Sequence, residues 1–140
     1  MRKTVAESIR DYIMHFPELK DGCLLVDFLG DKPIEYTIEP VPCDPVFRKY
    51  TDGSCMKQFL FLFASREFFS EDVAMALGNL EFYELFEDWI DEQNDNGVLP
   101  ELGDSREPVS IEVLTRGYAF AADGNTARYQ IQLRLLYEEE

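Results

Sequence analysis

An α+β domain, with a mainly antiparallel sheet of four to five strands and two helices packed on one face, follows from three features of the sequence. The strand-like stretches are grouped together, without the β-α-β alternation of a parallel sheet. The last of them sets Tyr129, Ile131, Leu133, Leu135 and Tyr137 against Arg128, Gln130, Gln132 and Arg134, a clean period of two. Two other stretches, near residues 4–16 and 71–95, repeat their apolar residues at three- and four-residue spacing instead. No internal repeat, low-complexity tract or linker divides the 140 residues, so residues 1–140 read as a single domain.

Each element has its own signal. Thr4 and Glu7 form a T-x-x-E capping box, in which each side chain can satisfy the other residue's free backbone N–H. Val5, Ile9, Tyr12, Ile13 and Phe16 then recur at helical spacing, and Pro17 follows the last turn. A short strand, CLLVDFL at 23–29, closes at Gly30-Asp31. Ile34, Tyr36 and Ile38 alternate with Glu35, Thr37 and Glu39 in the next. PVPCDP, from Pro40 to Pro45, is expected to interrupt the pairing, because proline donates nothing to a sheet ladder. From Val46 the chain predicts a hairpin, or a long bent strand, turning at Asp52-Gly53.

Ser70 is the expected cap of the second helix, with Glu71 and Asp72 at the positive end of its dipole. Gly78-Asn79 is expected to break or kink that helix, since glycine suits a C-terminal cap and asparagine a new N-cap. Beyond it, Leu80, Tyr83, Phe86, Trp89, Ile90 and Gln93 mark one face, and Glu84, Glu87, Asp88, Asp91 and Glu92 the other. NDNG at 94–97 ends the helix. A final hairpin is expected to pair Val109, Ile111 and Val113 with the strand from Tyr129 to Tyr137 across the turn ADGN.

One strand breaks the pattern. In KQFLFLFASREFF, residues 57–69, Phe59, Phe61 and Phe63 line one face while Leu60, Leu62 and Ala64 line the other. A strand apolar on both faces needs cover on both. One face fits the two helices. The second is covered either wholly within the monomer or by the hairpins and a neighbouring subunit.

Composition and motifs exclude more than they assign. With 46% apolar and 14% aromatic residues, the chain is far from a disordered composition. A formal charge of −15 opposes binding to nucleic acid or to anionic lipid. No apolar run approaches a membrane span, and MRKTVAESIRDY lacks the apolar core of a secretion signal. Cys23, Cys43 and Cys55 are odd in number, without C-x-x-C spacing or an adjacent base, which predicts inert, reduced thiols. His15 is the only histidine, which removes most nucleophile–base pairs and zinc sites, and it reads as a helix C-terminal residue. An EF-hand placed with Gly97 at position 6 has Gly103 where the bidentate glutamate belongs. There is no G-x-x-x-x-G-K-[ST] and no G-x-G-x-x-G, hence no phosphate cradle. No catalytic, metal or cofactor-binding residue is expected, and no cofactor.

Three stretches together resemble a known family: EPVPCDPVFRKYTDGSCMKQFLFLFASRE, NLEFYELFEDWIDEQNDNGVLPEL and TRGYAFAADGNTARYQIQLRLLYEEE. They are similar to small tail-module proteins of prophages of Gram-positive bacteria, described as minor capsid proteins. The order of elements is similar to that of phage tail terminator, or tail completion, proteins. The resemblance spans nearly the whole chain and implies a structural role. It implies a ring homo-oligomer, generally of six subunits, that caps the tail tube, stops its growth and meets the head–tail connector. It implies no cofactor and no catalysis, and a location in the host cytoplasm during assembly and then at the tail–head junction. The acidic charge suits a lumen through which DNA slides without sticking, and equally suits solubility. Another head–tail joining or minor capsid role is the alternative, and a small hydrolase a more distant one.

A ring is a head-to-tail arrangement, so each subunit needs two complementary patches. Phe47, Arg48, Lys49 and Tyr50 place basic and aromatic residues together on a hairpin of an acidic chain. Glu84, Asp88 and Asp91 on the acidic helix face are the expected acceptors on a neighbour. The other reading of the hairpin is a solvated one whose charges contribute little.

Overall fold

The computed structural model describes residues 4–17, 19, 23–26, 35–68, 73–103, 105–123 and 126–139. Its elements run α1 (Val5–Ile13), β1 (Cys23–Val26), β2 (Glu35–Val41), β3 (Val46–Lys49), β4 (Cys55–Phe68), α2 (Val73–Asp95), β5 (Arg106–Val113), β6 (Tyr118–Asp123) and β7 (Thr126–Glu139). The sheet follows the path β1-β2-β4-β7-β5, with β3 attached to β4 and β6 to β7.

Two strands of 14 residues each, β4 and β7, form the spine. At about 3.4 Å per residue each is roughly 45 Å long, enough to hold two shorter partners end to end. On one side of β4, β2 takes Leu60 to Arg66 and β3 takes Cys55 to Lys57. On the far side of β7, β6 takes Thr126 to Gln130 and β5 takes Leu133 to Glu139. The seven strands among the described residues therefore occupy five lateral positions. All pairings are antiparallel except β1 with β2.

The core lies on one face. Ile9, Tyr12 and Ile13 from α1, with Phe16 just beyond it, meet Phe82, Tyr83, Phe86 and Ile90 from α2 over Tyr36, Ile38, Phe61, Phe63, Ile131 and Leu133 of the sheet. Phe63 stacks on Phe86 with ring centroids 4.7 Å apart, and Phe16 meets Phe86 edge-on at 5.3 Å. Such aromatic pairs add to the stabilisation from area burial alone. The buried Tyr83 hydroxyl donates to the Tyr129 carbonyl at 3.1 Å, and the Ser65 hydroxyl bonds to it at 2.6 Å. The buried hydroxyls of Ser65 and Tyr83 are thereby satisfied, as burial demands.

Several boundaries differ from the sequence reading, each for a physical reason. Pairing continues through Pro40 and Val41, opposite Phe61 and Leu60. Among the described residues β1 pairs with β2 only from Glu35 to Ile38, short of Pro40, and proline is tolerated in a strand wherever its missing N–H faces no neighbouring strand. The helix runs unbroken through Gly78 and Asn79. One glycine costs a helix only about 1 kcal/mol, less than the aromatic face of α2 gains by packing. The final hairpin contains an extra strand, β6, and β5 pairs instead with the distal half of β7. A bulge between Pro108 and Ser110 turns Val109 out of the expected alternation, leaving it exposed while Ile111 is buried. The expected cap Ser70-Glu71-Asp72, Ile34 and the turn residues Gly124 and Asn125 lie outside the described residues. Thr4 caps α1 as expected, its hydroxyl accepting from the Glu7 amide at 3.1 Å.

Candidate interaction surface

The hairpin of β3 and β4 is built on its turn. Gly53 has φ +95°, a backbone that L side chains avoid. Its amide donates to the Tyr50 carbonyl, and Asp52 accepts from both the hydroxyl and the amide of Ser54. Those bonds from Ser54 hold the Asp52 carboxyl below the usual aspartate range. Phe47, Arg48 and Lys49 are exposed and Tyr50 half-buried. Among the described residues, the side chains of Arg48 and Lys49 have no ion pair or hydrogen bond. Among the described residues β3 is paired on one side only, and charged residues on such an edge also discourage unwanted strand addition.

Glu84, Asp88 and Asp91 are exposed along α2, one turn or two apart. The structure places them apart from the hairpin, which adjoins Ser105, Glu107 and Glu139 at one end of the sheet. Beside the acidic face lies a residue that sequence reasoning missed. Arg116, in the connection between β5 and β6, adjoins Glu84 and Glu87 in one shallow cleft and Asp91 in another. The connection presses close: a Cβ added to Gly117 would lie 2.3 Å from the Tyr83 Cβ. Burial pushes the Glu87 carboxyl above the usual glutamate range, with Arg116 opposing the shift. One Glu87 oxygen is buried and accepts no hydrogen bond.

The second face of β4 is covered by arginines. Arg128 on β7 reaches Glu39 on β2 in a two-pronged ion pair, with both N···O distances 2.9 Å. The register places Ala64 of β4 midway between them, and Ala64 is fully buried. The guanidinium is held from behind by Gln130, which in turn donates to the Tyr118 hydroxyl at 2.7 Å. Further along, Arg134 bonds Glu112 of β5 at 2.7 Å and sits 5.2 Å over the Phe47 ring of β3. Arginine stems thus cover apolar surface while their heads stay hydrated. Between the two straps Val41, Leu60 and Leu62 remain half-buried. Both helices lie on the opposite face, and no described helix packs here. The signal was present as Arg128 and Arg134 at period two, but nothing in a linear pattern tells a solvated arginine from one that crosses a strand.

His15 is exposed at the end of α1, with Nδ1 2.9 Å from the Asp11 carbonyl oxygen. Cys43 and Cys55 are free thiols, Cys43 exposed and Cys55 half-buried. Among the described residues, no group of His, Cys, Asp and Glu is arranged to hold a metal, and no helix is long and apolar enough to cross a membrane. No protein-family model and no curated protein matches the chain.

Proposed function

We propose that the chain is a structural virion component, a tail terminator whose copies assemble head to tail into a ring that closes the tail tube and joins it to the head connector. The observation that carries the reading is the pairing of two unlike surfaces on one subunit. An exposed aromatic-basic hairpin has two cations without partners, while exposed carboxylates line the helix layer elsewhere. Complementary patches set apart on one subunit can join copies head to tail, as a ring requires. The half-buried strip of Val41, Leu60 and Leu62 adds apolar area for a second copy or for the tube. The family resemblance supplies the biological setting: assembly in the host cytoplasm, then the tail–head junction. The proposal includes no cofactor, no catalysis and no direct contact with nucleic acid.

Light scattering on the pure protein, then electron microscopy with purified tail tubes, tests it. The proposal expects a closed oligomer and tubes capped at a fixed length. Tubes that keep growing in its presence, with the protein bound only at a head connector, transfer the role to another head–tail joint. A chain that stays monomeric and binds neither sinks the structural reading.

A further inference from the structure

An antiparallel sheet that packs helices on one face commonly turns a polar face to water on the other. This sheet does so only in part. Val41 and Leu60 are register partners and Leu62 follows two residues on, so three half-buried apolar side chains form a strip on the face away from the helices. Gln132 lies opposite Leu62. The Arg128–Glu39 and Arg134–Glu112 pairs flank the strip. Phe47, packed on Arg134, and Tyr118, bonded to Gln130, stand exposed at its margins. An apolar centre rimmed by arginine and aromatic side chains is the composition of a protein interface rather than of a solvated face.

Charge selects the occupant. The chain carries −15, so two copies repel wherever carboxylates face carboxylates. Along α2, Glu81, Glu84, Asp88, Asp91, Glu92 and Asp95 are exposed and the helix contains no basic residue, so the helix layer opposes self-contact. The two carboxylates beside the sheet strip are already matched, Glu39 by Arg128 at 2.9 Å and Glu112 by Arg134 at 2.7 Å. A strongly basic or strongly acidic partner gains little from charges so neutralised, whereas a second copy of the same balanced face meets no net repulsion. Size agrees. Five lateral positions about 4.8 Å apart, along a spine roughly 45 Å long, give a face on the order of 900 Å². A stable interface takes roughly 800 Å² from each partner.

We infer that this sheet face packs on the same face of a second copy, strip on strip, so that two sheets about 10 Å apart share one apolar layer and both helix layers point outward. The ion pairs enter the contact already formed, which avoids burying an unpaired charge. The contact is two-fold and closes after two copies. It is distinct from the head-to-tail contact proposed above and does not depend on it.

Sedimentation of the full chain across concentration and salt tests it, with thermal melting for folding and emission from Trp89, the single tryptophan, as a reporter on the helix layer. The parent should self-associate, and more strongly as salt rises from about 0.05 M to about 0.5 M, because screening removes the repulsion between two acidic copies. A contact made by hairpin cations and carboxylates weakens over the same range. Leu62→Glu should keep a cooperative melt yet associate on the order of tenfold more weakly or worse. Gln132→Glu, nearly isosteric, puts a charge beside the strip if Leu62→Glu fails to fold. Arg48→Glu/Lys49→Glu should still give the dimer, and Trp89 emission should not change with protein concentration. Parent-like association of a folded Leu62→Glu or Gln132→Glu chain, or a Trp89 shift with concentration, overturns the sheet-face assignment. Association that weakens with salt and falls in Arg48→Glu/Lys49→Glu also overturns it, and leaves the head-to-tail reading standing. A parent chain monomeric at every concentration and salt overturns it too, and whether that chain caps tail tubes then decides the structural reading separately.

Discussion

Glu87 sits at the point where the acidic face of α2 meets the β5–β6 connection. Desolvation holds its carboxyl above the ordinary value of 4.5, and Arg116 only partly offsets this. A carboxyl with a raised folded-state pKa binds its proton more tightly folded than unfolded. The stability that proton confers is present at low pH and is lost as pH rises from the ordinary value through the raised one. At neutral pH the charged Glu87 is therefore a net cost. Glu87→Gln should stabilise the fold at pH 7, seen as a raised melting temperature, by no more than about 1 kcal/mol because solvent screens part of the side chain. The gain should fade as pH is lowered toward 4.5, and a gain that persists there would assign the effect to packing instead. Gly117 makes a sharper case. A methyl group there would run into the Cβ of Tyr83, which is almost wholly buried and cannot swing away. Gly117→Ala should cost about 1–3 kcal/mol, read from chemical denaturation.

At the scale of elements, the exposed edges decide how the sheet ends. Asn94, in the last turn of α2, donates through its side-chain amide to the Ile111 carbonyl and accepts from the Ile111 amide through Oδ1. The carboxamide imitates one rung of a ladder and occupies the outer edge of β5, so no further strand can bond there. Pro108 serves the same edge nearby, having no N–H to offer. Asn94→Ala should cost about 1–3 kcal/mol, the range for leaving partners unsatisfied. It should also make the protein more prone to aggregate on mild heating, measurable by turbidity. The NDNG stretch was read as a helix stop, and Asn94 does lie near that end, but its role in the edge depends on a strand 17 residues further on. Local signals placed the helix. They could not show what its final turn guards.

For the whole molecule, the spine formed by β4 and β7 couples both faces of the sheet. Leu133 is fully buried beneath the helices and pairs with Phe61 across the spine. Leu133→Asp should cost several kcal/mol, on the order of 3–5, by burying an unpaired charge. The expected result is loss of the cooperative melt by circular dichroism, and a soluble variant with parent-like melting would contradict the packing. The opposite face answers why β4 is apolar on both sides. Ala64 sits beneath the Arg128 strap and the leucines lie between the two straps, whose methylene stems need an apolar bed. That arrangement leaves the strip around Leu60 and Leu62 half open, available to a partner without being unstable alone.

The sequence by itself determined the class of fold, the alternation along β7 and much of the core, although Leu80, on the expected apolar face of α2, is exposed. Those follow from period-two and helical patterning, which the backbone geometry enforces whatever the neighbours do. Ile131 and Leu133 on one side, and Ile9, Ile13, Phe86 and Ile90 on the helices, are buried as the spacing requires. The basic-aromatic hairpin was also legible, because Asp52-Gly53 forces a turn and the charges beside it are local. Tertiary structure alone decided the rest. It joined Arg128 to Glu39, 89 residues apart, set Arg116 against the acidic helix, and packed Tyr12 against Trp89. These contacts depend on which strands neighbour one another and how far each helix reaches. Loop closure makes those choices collectively, through packing summed over the whole chain, and no local run of residues encodes them.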